Sequence, residues 1–237
     1  MRLFSLSMAA MTAAALVVPA MADTTASISL TSLQLRNATN QSRSSTPDTI
    51  DPGCTYEYRI DGMVRGRGGS FTVLQVLFPN PTPLAQVLET LSPGSSAFLN
   101  GATTSSTGGT HPVTLASQLF EGSQVILGIT VNVRATIGVS INAANHVNFT
   151  ITDVTISPST LVGYLEFTSG TAVVTSTPVC PADFNRDCFV DFFDYSDYVT
   201  CFEGDGCPAG RSADYNGDGF ADFFDYADFV AAFEVGC

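Results

Sequence analysis

The sequence predicts a mainly β N-terminal domain, an antiparallel sandwich or barrel, followed by a small helical C-terminal domain of two loop–helix repeats. Three observations predict it. Apolar and polar residues alternate along much of residues 23–176, the period of half-buried strands. Polar turns rich in Gly, Ser, Thr and Pro separate these runs, as in all-β domains. Finally, residues 183–203 are rewritten, with few changes, as residues 214–234.

Residues 1–22 read as a signal peptide. Arg2 gives a positive start, Met8 to Val18 is apolar, and Ala20-Met21-Ala22 is a small-x-small cleavage site. The apolar run is too short to span a bilayer. The mature chain is expected to begin at Asp23 and to be secreted or held at the cell surface, with no transmembrane segment.

Residues 23–176 then supply the strands. Ile28 and Leu30, then Leu33 and Leu35, alternate with Ser, Thr and Gln. Tyr56, Tyr58 and Ile60 alternate with Glu57 and Arg59. Residues 71–78 are β-rich, and Val125, Leu127, Ile129, Val131 and Val133 alternate as one run. Residues 136–141, 147–156, 161–167 and 171–175 follow as further strands. One helix is predicted, with Pro83 at its first position and Leu84, Val87, Leu88 and Leu91 on one face. Residues 37–52 and 100–110 read as loops. A short linker, about 176–181, leads into a second domain over 177–237.

Charge separates the two parts. The chain has nine Arg, no Lys and 22 acids, for a net charge of −13. Thirteen of those acids lie after residue 176, accompanied only by Arg186 and Arg211. Such a tail repels nucleic acid and attracts divalent cations, so no nucleic-acid partner is expected. Six Cys in an exported chain imply disulfides. Cys180, Cys188, Cys201, Cys207 and Cys237 lie in the tail and Cys54 in the larger part. A domain of this size buries a small core and needs staples.

The repeat carries the chemistry. Asp183-Phe-Asn-Arg-Asp-Cys-Phe-Val-Asp-Phe-Phe-Asp194 and Asp214-Tyr-Asn-Gly-Asp-Gly-Phe-Ala-Asp-Phe-Phe-Asp225 place oxygen side chains at positions 1, 3, 5, 9 and 12 of a twelve-residue loop, the EF-hand calcium pattern. The expected ligands of the first loop are Asp183, Asn185, Asp187, the Phe189 carbonyl, Asp191 and Asp194. Those of the second are Asp214, Asn216, Asp218, the Phe220 carbonyl, Asp222 and Asp225. Two calcium ions are therefore expected, one per loop. Position 6 needs φ > 0, which suits Gly219 in the second loop, whereas the first has Cys188 there and Arg186 at position 4. The first site is expected to be the weaker, with a disulfide from Cys188, for instance to Cys201, holding its turn.

A tandem of such loops, each followed by one helix, resembles a type I dockerin domain. Position 12 is Asp in both copies, as in dockerins, and no helix precedes the first loop: Cys180-Pro181-Ala182 runs straight into it. The Phe-Phe-Asp-Tyr tetrads and the ending Phe233-Glu-Val-Gly-Cys237 resemble the GC-type subgroup found at the C-termini of secreted bacterial proteins. The resemblance covers about residues 179–237. It implies calcium-dependent docking to a cohesin-like or other surface protein. The partner-binding positions it implies are Phe192, Phe193 and Val199 in one copy and Phe223, Phe224 and Val230 in the other. Tyr195, Tyr198, Phe202, Tyr226, Phe229 and Phe233 form an inward stripe at helical spacing. Cys237 is read either as a clasp to Cys180 or as a processing or attachment signal.

The β domain offers little chemistry. No HExxH, GxSxG, Walker or GxGxxG pattern occurs, and His111 and His146 stand apart. Glu57 with Asp61, or Asp153 with Glu166, could form a carboxylate pair like a glycosidase's, although any β domain contains such accidental pairs. The reading is a non-catalytic exported protein, displayed or docked through its tail. The alternatives are a carbohydrate-binding or polysaccharide-degrading component with a glycan ligand, and a soluble extracellular calcium-binding protein.

Overall fold

The alternating runs do form strands. The computed structural model describes residues 23–37, 39–69, 71–105 and 110–235. Its strands are β1 (Thr24–Ser29), β2 (Gln34–Leu35), β3 (Gln41–Ser44), β4 (Gly53–Arg67), β5 (Thr82–Pro83), β6 (Asn100–Thr104), β7 (Val113–Ile126), β8 (Ile129–Ile141), β9 (Val147–Ser157) and β10 (Tyr164–Pro178). One sheet runs β1-β10-β4-β5, with β2 also on β10 and β6 also on β4; the other runs β3-β9-β8-β7. All pairings are antiparallel. Because side chains alternate between faces, β4 buries Tyr56, Tyr58, Ile60 and Val64 and exposes Glu57, Arg59 and Asp61. Both sheets turn their apolar faces into one core, which joins Ile28, Tyr56 and Val174 of the first to Ile137, Phe149 and Ile151 of the second.

Several boundaries differ from the sequence reading. The apolar run 125–133 is not one strand: Leu127 (φ 52°) and Gly128 (φ 77°) make a two-residue hairpin turn between β7 and β8. Residues with φ > 0 at both turn positions match the twist of the flanking strands, and alternation passes through such a turn unchanged. The segment 71–78 contains a short helix, α1 (Val73–Leu77), rather than a strand. It buries Val73, Leu74 and Phe78, a helical spacing. The predicted helix is α2 (Leu84–Leu91), which buries Leu84, Val87, Leu88 and Leu91 and starts one residue after Pro83. The two expected loops contain β3 and β6. Residues 161–167 divide into α3 (Ser159–Val162) and the start of β10, and β10 runs on to Pro178, beyond the expected domain boundary.

The tail is helical and has its own core. Each repeat ends in one helix, α4 (Phe192–Phe202) and α5 (Phe223–Val235). Phe184, Tyr198, Cys201, Ala213 and Phe229 are buried, with Tyr195, Phe202, Tyr215, Tyr226, Val230 and Phe233 packed around them. Equivalent residues meet across a pseudo-two-fold relation. Tyr198 stacks on Phe229 with ring centroids 4.0 Å apart, and the Tyr195 and Tyr226 hydroxyls lie 2.6 Å apart. Phe184 meets Tyr198 edge-on, and Tyr215 meets Phe229 in the same way. Among the described residues no helix is long and apolar enough to cross a membrane. The signal-peptide reading falls on residues 1–22, which lie outside the described residues, as does Cys237.

Candidate functional site

The two twelve-residue loops fold alike because their acids bond to their own backbone. Short Asx side chains accept from N–H groups two residues on and so fix local turns. In the first loop Asp187 N donates to Asp183 Oδ1 at 3.0 Å and to Asn185 Oδ1 at 2.8 Å, and Phe189 N donates to Asp187 Oδ1 at 2.9 Å. In the second, Gly217 N donates to Asp214 Oδ1 at 2.8 Å, Asp218 N to Asn216 Oδ1 at 3.0 Å, and Phe220 N to Asp218 Oδ1 at 2.9 Å. The amide at position 6, Cys188 or Gly219, donates to Oδ2 of the position-1 acid at 2.9 Å in both loops.

Position 12 closes each loop and starts each helix. Asp194 accepts from Asn185 N and Asp191 N, while Asp191 accepts from Phe193 N, which forms a capping box on α4. Asp225 accepts from Tyr215 N, Asn216 N and Asp222 N, and Asp222 accepts from Phe224 N. Backbone hydrogen bonds thus link the predicted ligand positions along each loop and give position 12 a second role as a helix cap. Among the described residues, the Cys, His, Asp or Glu side chains whose ligand atoms converge at metal-binding distance are Cys54, Asp183 and Cys188, two of them joined as a disulfide.

The donor set suits a hard cation. Every side chain at positions 1, 3, 5, 9 and 12 presents oxygen, the chemistry that Ca²⁺ selects. Asp183, Asp194 and Asp225 are at most 1% exposed, and among the described residues every salt bridge lies in the β domain. Burying a carboxylate without a counter-charge is costly. Burial pushes the Asp183 carboxyl above its usual range, and Asp194 adds to that against the Cys188 and Asp187 amides. Burial also acts upward on Asp225, but the amides of Asn216, Asp222 and Tyr215 outweigh it and hold the carboxyl below the usual range. The all-oxygen donor chemistry of each loop suits a hard divalent cation.

The first loop is the more constrained. Cys188 (φ 73°) and Arg186 (φ 64°) occupy the left-handed region where the second loop has Gly219 (φ 95°) and Gly217 (φ 77°). The expected Cys188–Cys201 bridge is not present. Cys188 is bonded to Cys54 of β4, with Cα atoms 5.3 Å apart, and Cys201 is bonded to Cys207. The correction has a geometric reason: Cys201 faces the tail core, whereas position 6 points to the start of β4. Cys180 is also disulfide-bonded, and the reading of Cys237 as clasp or attachment signal lies outside the described residues. Arg211, which the sequence reading did not place, donates to the carbonyls of Phe184, at 2.9 Å, and Asp183. It also lies over the Phe184 ring. A residue leading into the second loop thereby clamps the first.

The implied partner-binding positions are mostly at the surface. Phe192, Phe193, Phe223 and Phe224 are 66–72% exposed. Phe189 and Phe220, singled out only for their carbonyls, also expose their rings. Val199 is half-buried, and Val230 packs on the tail core. The six stripe residues pack inward as expected.

The carboxylate pairs do not assemble. Glu57 and Asp61 lie four residues apart on one strand, roughly 13 Å, beyond glycosidase spacing, and Asp61 pairs with Arg59 at 2.6 Å. Glu166 is held by Arg67 at 2.6 Å on β10, while Asp153 sits on β9 of the other sheet. His146 is a turn residue bonded to the Asp48 carbonyl, and His111 bridges Tyr56 and Asn145. Comparison with protein-family models, with curated proteins and with solved structures gives no match for this chain.

Proposed function

We propose that this is an exported, non-catalytic protein whose dockerin-like tail binds two calcium ions and docks it, through duplicated phenylalanines, to a surface or complex-forming protein. One observation carries the reading. Two matching all-oxygen loops, closed by buried carboxylates that form no ion pair among the described residues, stand directly beside matching exposed Phe-Phe pairs. Soluble proteins rarely leave such large apolar side chains in repeated exposed sets without a partner for them. In this reading calcium neutralises Asp194 and Asp225 and fixes the start of α4 and α5, which aims Phe192, Phe193, Phe223 and Phe224 at the partner. The β domain is read as a two-sheet sandwich that is carried by the tail. The disulfides fit an exported chain.

The test is retention of proteins from an extract of the producing cell's surface on the immobilised full chain, with calcium and with chelator. Calcium-dependent retention that Phe193→Ser with Phe224→Ser abolishes, at unchanged calcium uptake, is the expected result. Retention that ignores chelator, or survives the double substitution, refutes the reading.

A further inference from the structure

We infer that Cys54 is a positioning residue for the first calcium loop, so that metal affinity there and oxidation of the Cys54–Cys188 disulfide are thermodynamically linked. The inference rests on the calcium reading above. The two loops make the same position-6 bond, an amide donating to Oδ2 of the first acid at 2.9 Å. Gly219 adopts that turn freely, whereas Cys188 carries a Cβ into the left-handed region, which disfavours the bound conformation about tenfold. Arg186 adds a second non-glycine residue there.

The bridge removes that disadvantage. It ties the apex of the turn to Cys54, which sits at a register shift between β4 and β10 and is flanked by paired residues. Gly53 is paired with Pro178, and Thr55 with both Thr177 and Thr104. A Cβ at Gly53 would lie 2.2 Å from the Thr177 carbonyl oxygen, so the anchoring strands are in close contact. Cys54 Sγ sits 3.7 Å from Asp183 Oδ2, and Asp183 is buried while its counterpart Asp214 is only half-buried. A disulfide sulfur has no proton to give, so this contact covers the acid, whose two oxygens accept the Asp187 and Cys188 amides, without neutralising its charge. The tether thus holds the metal-shaped turn in place of a glycine and makes the first loop a tighter site when joined to the β domain. The second loop needs no such tether. By reciprocity, calcium in the first loop must stabilise Cys54–Cys188 against reduction by the same factor, and must act more weakly on Cys201–Cys207, which ties down neither loop.

The experiment uses the full chain and calcium itself. Asn216→Ala with Asp218→Ala, both exposed positions, silences the second loop so that calorimetry reads the first. In that background Cys54→Ser with Cys188→Ser is expected to lower affinity about tenfold, and Cys54→Ser with Cys188→Gly to restore it. Cys201→Ser with Cys207→Ser is expected to lower it less. The unmutated protein supplies an independent reading. Dithiothreitol gives two electrons and two protons to Cys54–Cys188, yielding two thiols and its own cyclic disulfide. Alkylation and mass spectrometry at equilibrium report each bridge. Saturating calcium is expected to shift the Cys54–Cys188 equilibrium about tenfold, about 30 mV, relative to chelator. Unchanged first-loop affinity without the bridge, or an equal calcium effect on both disulfides, overturns the inference. Uptake of a single calcium that Asn216→Ala with Asp218→Ala abolishes overturns it alone, whereas no uptake by the unmutated chain overturns the calcium reading with it.

Discussion

Phe229→Ala tests whether the tail is one cooperative unit built around its aromatic cluster. Phe229 is 0% exposed. Its ring stacks on Tyr198 at 4.0 Å and meets Tyr215 at 5.5 Å, Phe184 at 5.9 Å and Phe233 at 5.9 Å. Truncating a buried Phe to Ala costs about 3–5 kcal/mol, and each lost ring pair contributes within that sum about 0.5–1.5 kcal/mol. A domain of about sixty residues has a stability of roughly 3–9 kcal/mol. The substitution therefore removes about half of the tail's stability or all of it. The β domain has a separate core and should be unaffected. Urea unfolding of the full chain in chelator, followed by circular dichroism at a helical wavelength, should show the helical transition moved to much lower urea and the β transition unmoved. Phe223→Ala is the control: it removes the same side chain from a site 72% exposed and should cost within about 0.5 kcal/mol. Equal effects of the two substitutions would refute the assignment of inward and outward faces.

Three further outcomes are expected. Asp194→Asn and Asp225→Asn each keep an acceptor for the backbone but remove a buried charge, so each should abolish calcium uptake in its own loop by calorimetry while the apo tail stays folded. Arg211→Ala leaves the Asp183 and Phe184 carbonyls without their donor and should cost about 1–3 kcal/mol of tail stability in the same urea assay. Glu89 is held below the usual carboxylate range by the Ser96 hydroxyl and by the Gly94 and Ser96 amides. A depressed folded-state value contributes stability above the ordinary Glu range that is lost as pH falls through the folded value. Glu89→Gln should therefore destabilise the β domain at pH 7, and the difference should shrink as pH falls below the ordinary Glu range, as read by thermal melts across that range.

What the sequence made legible was local. The loops declare themselves because oxygen side chains recur at fixed EF-hand spacings and bond to their own backbone, and α4 and α5 begin where Asp191 and Asp222 stand before apolar helical periodicity. Strands such as β9 were readable because one face is buried and one is wet. The failures are of two kinds. Period-2 alternation cannot reveal a two-residue turn, so Leu127–Gly128 was read as strand. Pairings across long separations leave no local trace: Cys54 lies 134 residues from Cys188, and Arg211 is 27 residues from Phe184. The available signal was a mismatch, a Cys where the second loop has Gly and a lone Cys in the β domain.

The same mismatch explains how two near-identical repeats come to differ in role. The aromatic cluster takes equivalent residues from both copies, Tyr198 with Phe229 and Tyr195 with Tyr226, so neither loop–helix unit buries a core alone. A cation that orders one loop therefore stabilises a core shared with the other, and the two sites are coupled through Phe184, Tyr198, Tyr215 and Phe229. Outside that core the symmetry ends. The second loop has glycine at both left-handed positions and, among the described residues, no disulfide to the β domain, so its conformation is set chiefly by its own sequence. The first has Arg186 and Cys188 there and is tied to β4, so its conformation is set partly by a strand outside the tail. The first repeat is thus the fixed end of the module and the second the free end. Of the two matched Phe faces, Phe223 and Phe224 are the pair whose presentation depends least on the β domain and, on the proposed calcium reading, most on the cation.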